Sequence, residues 1–324
     1  MQTVATSPKA AVKAVPHLAQ RRFGDRAFKW FTLSMAGSVF VLIVLIGWKL
    51  AQGSHLAMAR FGWGFLFSSD WDPVNEKFGA LPFIFGTLVS SLIALLIAVP
   101  LSVATAVFLT ELAPRWIRQP LTIFIELLAA VPSVILGLWG IFVMVPWLRE
   151  HLFPWLKGVF GWLPLFTGPI YGVSMLAGGI IIAIMIVPII TSVSREILRS
   201  VPGLQREAAY ALGATRWEVT RIAVLSYAKK GLFGAVILGL GRALGETMAV
   251  TMVIGNRPEI AKSLFAPGYT LASVVANEFA EATSDLYLNS LFEIGLVLLG
   301  VTVVVNALAQ VLLKTFAGPT AKQH

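Results

Sequence analysis

Residues Glu207–Gly231 read EAAYALGATRWEVTRIAVLSYAKKG, and the stretch is out of keeping with the chain around it. It holds Glu207, Arg216, Glu218, Arg221, Lys229 and Lys230, whereas the whole chain is 57% hydrophobic and only 13% charged. The run Glu207-Ala208-Ala209 favours helix and Gly213 interrupts it. Trp217, Val219, Ile222 and Leu225 then recur at roughly helical spacing. The pattern predicts helix, glycine turn, helix. A short polar hairpin of helices between oily segments is shaped to dock on a soluble partner. The same pattern also describes an ordinary amphipathic pair of surface helices.

The oily surroundings define the class. Soluble domains carry about a quarter charged residues; this chain has half that share, and its mean hydropathy is +0.81. It is a membrane protein on composition alone. There is no cysteine, which excludes disulfides, thiolate metal sites and a cysteine nucleophile. The four histidines, His17, His55, His151 and His324, are too scattered for a metal site. The net charge of +9 does not call for nucleic acid, because no soluble basic domain exists to bind it. In a polytopic protein such an excess collects on the cytoplasmic side.

Outward from the hairpin, apolar runs long enough to cross a bilayer are expected at 30–50, 82–109, 120–145, 170–190, 231–254 and 290–313. Pro100, Pro132 and Pro188 fall inside spans, as does Glu126, which reads as a packing or cavity residue. Glu293 lies near the outer end of the sixth span and reads as interfacial. The aromatic-rich segments 51–81 and 146–169 read as interfacial loops, and 255–289 as a further loop. Residues 1–29 are a polar cytoplasmic segment, 30–314 the six-helix domain and 315–324 a cytoplasmic tail. The first run is long for a signal peptide and has no clear cleavage site, so it reads as an uncleaved helix. Small residues must let such helices pack, and Gly178, Gly179, Gly234, Gly239, Gly241 and Gly245 suit that role.

Six spans place both termini on one side. Lys and Arg are concentrated in residues 1–29 and in the links holding Arg115, Arg118, Arg195, Arg199, Arg206, Arg216 and Arg221. The positive-inside rule makes that side the cytoplasm, and the hairpin with it.

The fifth span holds two opposite charges, in Gly239-Leu240-Gly241-Arg242-Ala243-Leu244-Gly245-Glu246-Thr247-Met248. Each charge costs about 2.5–3.5 kcal/mol at the centre of a bilayer on insertion scales. Arg242 and Glu246, four apart, share a helical face and can pair. One reading is a structural ion pair locking two helices. The other is a solute pathway: arginine's planar fork matches oxyanions such as phosphate, and Glu246 would hold Arg242 between solutes, then compete with the anion and favour release. The glycine spacing is wrong for a dinucleotide fingerprint. No phosphate-cradling Gly-x-x-x-x-Gly-Lys-Ser/Thr loop, Gly-x-Ser-x-Gly elbow or paired-carboxylate site occurs, so no catalytic residue, cofactor or metal is expected.

Three stretches carry a resemblance. Glu207-Ala208-Ala209 with Gly213, Ile222 and Leu225 is similar to the EAA loop of ABC importer permeases, except that Leu225 is followed by Ser226 where the family has proline. Arg242–Asn256, RALGETMAVTMVIGN, and Ala80–Glu111 resemble the C-type permease subunit of phosphate-specific (Pst) importers. The resemblance covers most of the chain from residue 80 to the sixth span and is weakest over 1–79. It implies an all-α membrane protein of the type I ABC importer permease (MetI-like) fold. It further implies a related A-type permease subunit, an ATP-binding subunit dimer and a periplasmic or lipid-anchored phosphate-binding protein as partners, with inorganic phosphate as solute. ATPase coupling would fall to residues 203–231, through Glu207, Ala208, Ala209, Gly213 and Arg216. Solute contact would fall to Arg242 and Glu246, with Thr247 beside them. Two rivals remain: an ABC permease for another oxyanion such as sulfate or molybdate, and an ion-coupled anion transporter or channel with no ATPase.

Overall fold

The computed structural model describes the backbone of residues 18–316 and the side chains of 24–315. The expected segment 1–29 and tail 315–324 therefore lie largely outside the described residues. Residues 1–49 and 50–324 form two separate units. The first contains most of α1 (Leu18–Gly53), which begins earlier than the apolar run at 30–50.

Among the described residues six helices are long and apolar enough to cross a membrane. In the second unit α2 (His55–Phe61) is followed by α3 (Leu81–Leu112). α4 (Arg115–Ala130) and α5 (Ser133–Phe160) come next, then α6 (Met175–Arg199) and α7 (Gly203–Ala211). The chain ends with α8 (Arg216–Leu244), α9 (Met248–Ile254), α10 (Leu271–Glu278) and α11 (Asp285–Phe316).

Two spans differ from the sequence expectation. The third, expected at 120–145, is α5 at Ser133–Phe160. The reason is Pro132: the residue before a proline is pushed out of the helical region, and Val131 is extended at ψ 127°. What precedes it is the separate amphipathic helix α4, with Glu126 on it rather than inside a span. The expected interfacial loop 146–169 is helical as far as Phe160. The fifth span, expected at 231–254, runs instead from Arg216 to Leu244 and breaks at Gly245-Glu246-Thr247. Its first turns, Val219–Leu225, are π-helical, a widening that often marks functional sites. Within the expected loop 255–289 lies α10, started by a capping box between Thr270 and Ser273.

α6 is the most buried of the spans and α3 packs along it. Close approach is possible because Gly179 faces Ile93 and the Ser90 carbonyl of α3, and Ser102 Oγ donates to the Val187 carbonyl at 3.1 Å. Gly178 meets Ile254, and Gly239 of α8 meets Ile190 and Ile186 of α6. Gly234 and Gly241 face open space, so three of the six glycines expected to serve packing do so by direct contact. A second core, of Phe65, Phe78, Phe83, Tyr269, Tyr287 and Leu291, joins the segment after α2 to α10 and α11. Glu278 ties it together, accepting from Trp71 Nε1 at 2.8 Å and Tyr287 OH at 2.7 Å. In the same segment the half-buried Asp72 accepts from Asn75 Nδ2 and from the N–H groups of Asn75 and Val74, which holds its carboxyl below the usual range. Glu293, expected near the outer end of the sixth span, is buried on α11, with no hydrogen-bond partner for Oε2 among the described residues.

Candidate solute pathway and docking hairpin

The break between α8 and α9 is the first candidate site. Gly239 before the break meets Ile190 and Ile186 of α6, and Ile254 after it meets Gly178, so the break falls alongside α6 between those levels. Arg242 sits in the last turn of α8 and Glu246 in the break itself. Arg242 Nη2 lies 3.2 Å from Glu246 Oε2, with the arginine side chain 50% exposed and the glutamate 4%. The pair expected on one helical face therefore forms, but across a helix terminus. The guanidinium stands at the negative end of α8, where cations are favoured. Glu246 Oε1 reaches toward the N–H of Ala249 at 3.5 Å, at the start of α9. Thr247, half-buried, donates from Oγ1 to the Gly245 carbonyl at 3.2 Å and so spans the break with its own side chain.

This arrangement is asymmetric. The carboxylate is fixed and buried, whereas the cation is half open and can turn toward an anion. Sequence spacing gave the pair; it could not give the break, because nothing in Gly245-Glu246-Thr247 forbids helix as a proline would.

The second candidate site is the hairpin. α7 is closed just past its C-cap Leu212 by Gly213, whose φ of +82° suits glycine, and no atom would crowd a Cβ there. Gly213 N–H donates to the Tyr210 carbonyl at 2.9 Å and Ala214 N–H to the Ala209 carbonyl at 3.2 Å. That pair of bonds is the Schellman closure, in which the glycine follows the last helical carbonyls at a set distance. It accounts physically for the spacing from Ala209 to Gly213. The chain then restarts at a capping box, with Thr215 Oγ1 accepting from the Glu218 N–H and Glu218 Oε2 accepting from the Thr215 N–H at 2.7 Å. Arg216 is the first residue after that cap. Glu207, Ala208 and Arg216 are exposed and Ala209 is half-buried. Leu204, Leu212, Trp217 and Ile222 are 77%, 90%, 62% and 65% exposed, a large apolar content for a polar hairpin. Surfaces of this kind mark interaction sites.

The family model for binding-protein-dependent transport system inner membrane components matches residues 98–317, which include both sites. The phosphate transport system permease protein PstC of Mesorhizobium japonicum is 47% identical over 94% of this chain and 94% of its own length. The chain belongs to the PstC family. The PstC protein of Pasteurella multocida is 47% identical over 88% of this chain and 90% of its own. Among solved structures, the MetNI methionine ABC transporter in an inward-facing conformation is similar with a TM-score of 0.46 and 18% identity, over 74% of this chain and 93% of that one. As a PstC-family member, this multi-pass protein has the type I ABC permease fold expected from its sequence.

Sequence reasoning missed two ion pairs around the hairpin end of this PstC-family chain. Arg195 of α6 lies 3.2 Å from Glu126 of α4 and also donates to Thr122 Oγ1. Arg206 of α7 lies 2.9 Å from Glu111 of α3. Both pairs join residues far apart in sequence, so no local spacing betrays them. Among the described residues no cluster of His, Asp and Glu could hold a metal.

Proposed function

We propose that the chain is the C-type permease subunit of an ATP-driven importer that carries inorganic phosphate across the cytoplasmic membrane. The observation that carries this reading is the Arg242–Glu246 pair at a helix break inside the span, in a chain 47% identical to phosphate permeases. Family membership supports transport; the half-open guanidinium beside a buried carboxylate supports an oxyanion as solute. Arg242 would meet phosphate as it passes, Glu246 would reclaim Arg242 and drive release, and Thr247 would hold the break in shape.

The exposed hairpin supports an ATPase partner. An ATP-binding subunit dimer would seat on Glu207, Ala208, Ala209, Gly213 and Arg216, with the apolar side chains of Leu204 and Trp217 filling the contact. The chain would pair with a related A-type permease subunit and receive phosphate from a periplasmic or lipid-anchored binding protein. Hydrolysis would occur on the ATPase subunits and not on this chain. The charge bias supports both termini in the cytoplasm.

The test is labelled-phosphate uptake by the full complex in liposomes, with and without ATP and binding protein. Uptake that needs both is expected. Uptake that survives ATP depletion would replace the importer with an ion-coupled transporter.

A further inference from the structure

We infer that Arg206 is the latch that ties the docking hairpin to the two central spans α3 and α6, and so a positioning residue for transport. The inference rests on the importer reading above. Arg206 immediately precedes the Glu-Ala-Ala run but behaves differently from it. Leu204, Glu207 and Ala208 are exposed, whereas the Arg206 side chain is 23% exposed.

Its guanidinium makes three contacts with two other elements. Nη1 donates to the Val201 carbonyl at 2.7 Å, and Nη2 donates to the Leu198 carbonyl at 2.9 Å and to Glu111 Oε1 at 2.9 Å. Leu198 lies in the last turn of α6 and Val201 just beyond it, where carbonyls lack helical partners and the helix dipole is negative. Glu111, 15% exposed, lies in the π-helical end of α3. One planar fork thus binds the ends of both spans to α7, with its orientation fixed by three acceptors. Partial burial strengthens the contact relative to a surface pair. Below it, Leu198, Val201, Ala106 and Val107 pack with Val224 and Ala228 of α8 into one small apolar core.

The consequence is mechanical. A displacement of α7 by its partner is delivered to the ends of α3 and α6 together. α6 in turn presses Ile190 and Ile186 on Gly239, three residues before Arg242. This route reaches the solute site through the tightly packed α3–α6 pair, in parallel with the direct path along α8. Removing the Glu111 charge leaves both carbonyl bonds of Arg206 in place, so the hairpin keeps its fold while its grip on α3 is lost.

The test compares Arg206→Gln and Glu111→Gln in the full complex, reconstituted with ATPase subunits, companion permease and binding protein. Three quantities are read: ATPase retained on purification, ATP hydrolysed, and labelled inorganic phosphate moved per ATP. Expected are wild-type assembly, hydrolysis within about twofold of wild type, and phosphate per ATP reduced about tenfold or more, the range of ordinary site-to-site coupling. Wild-type phosphate per ATP in Glu111→Gln would overturn the latch, whether or not Arg206→Gln assembles. So would a parallel loss of hydrolysis and uptake at a constant ratio, which is the behaviour of a pair that only stabilises the fold. A wild-type complex with no ATP-dependent uptake would instead remove the importer reading, and the latch with it.

Discussion

Replacing Glu246 with glutamine isolates the electrostatic half of the proposed solute site. The amide oxygen can still accept from the Ala249 N–H, so the start of α9 keeps its partner. What disappears is the charge 3.2 Å from Arg242. At an effective dielectric of about 20 that contact is worth roughly 5 kcal/mol of bare attraction. The half exposure of Arg242 and the desolvation of Glu246 offset most of it, leaving on the order of 1.5 kcal/mol. Arg242, freed of its competitor by that amount, should hold an anion about tenfold more tightly. Tighter holding in mid-pathway slows release, so uptake by Glu246→Gln should fall by about the same factor while phosphate bound by the solubilised complex rises. Equilibrium binding of labelled phosphate and initial uptake rates measure the two arms. Unchanged binding together with unchanged uptake would refute the competition between Glu246 and the anion, and would return the pair to a structural role.

Arg242→Gln should abolish uptake yet leave the complex assembled on purification; normal phosphate uptake in that variant would end the pathway assignment. Glu207→Lys reverses an exposed charge that has no ion-pair partner among the described residues, and should lower ATPase capture about tenfold or more, with wild-type pull-down yield as the contrary result. Gly86→Ala would put a Cβ 1.9 Å from the Tyr269 carbonyl oxygen, a backbone atom that cannot swing away. It should destabilise the subunit by about 1–3 kcal/mol, seen as a lower Tm in detergent, and an unchanged Tm would mean that the α3 contact is looser than described.

Much of the molecule was legible before its fold was known, because the strongest signals are local. Hydropathy over some twenty residues reports a span wherever it lies in the fold. The Ala209–Gly213 spacing reports a helix end, because Schellman closure involves only residues within one turn. Arg242 and Glu246 announce themselves by their setting, since a charge inside an apolar run is costly enough to need a reason.

The failures have physical causes of their own. Pro132 was placed inside a span, yet it separates α4 from α5, a choice made by whether neighbouring helices stabilise the chain on both sides of a proline. The burial of Glu293 was not legible because position along α11 says nothing of which side is covered, and Leu291, Ile294 and Ser290 show that its surroundings are closed.

The sequence by itself therefore determined that this is an all-helical, six-span membrane protein with a polar helical hairpin and two opposite charges four residues apart in an apolar run. Only the tertiary structure decided that the fifth span breaks at Gly245-Glu246-Thr247, that Glu246 is buried while Arg242 stays half open, and that Arg206 grips Glu111 across 95 residues of chain. Spans and caps are settled by interactions within a turn or a bilayer's thickness. Breaks, burial and long-range ion pairs are settled by what other helices bring alongside, which no local pattern encodes.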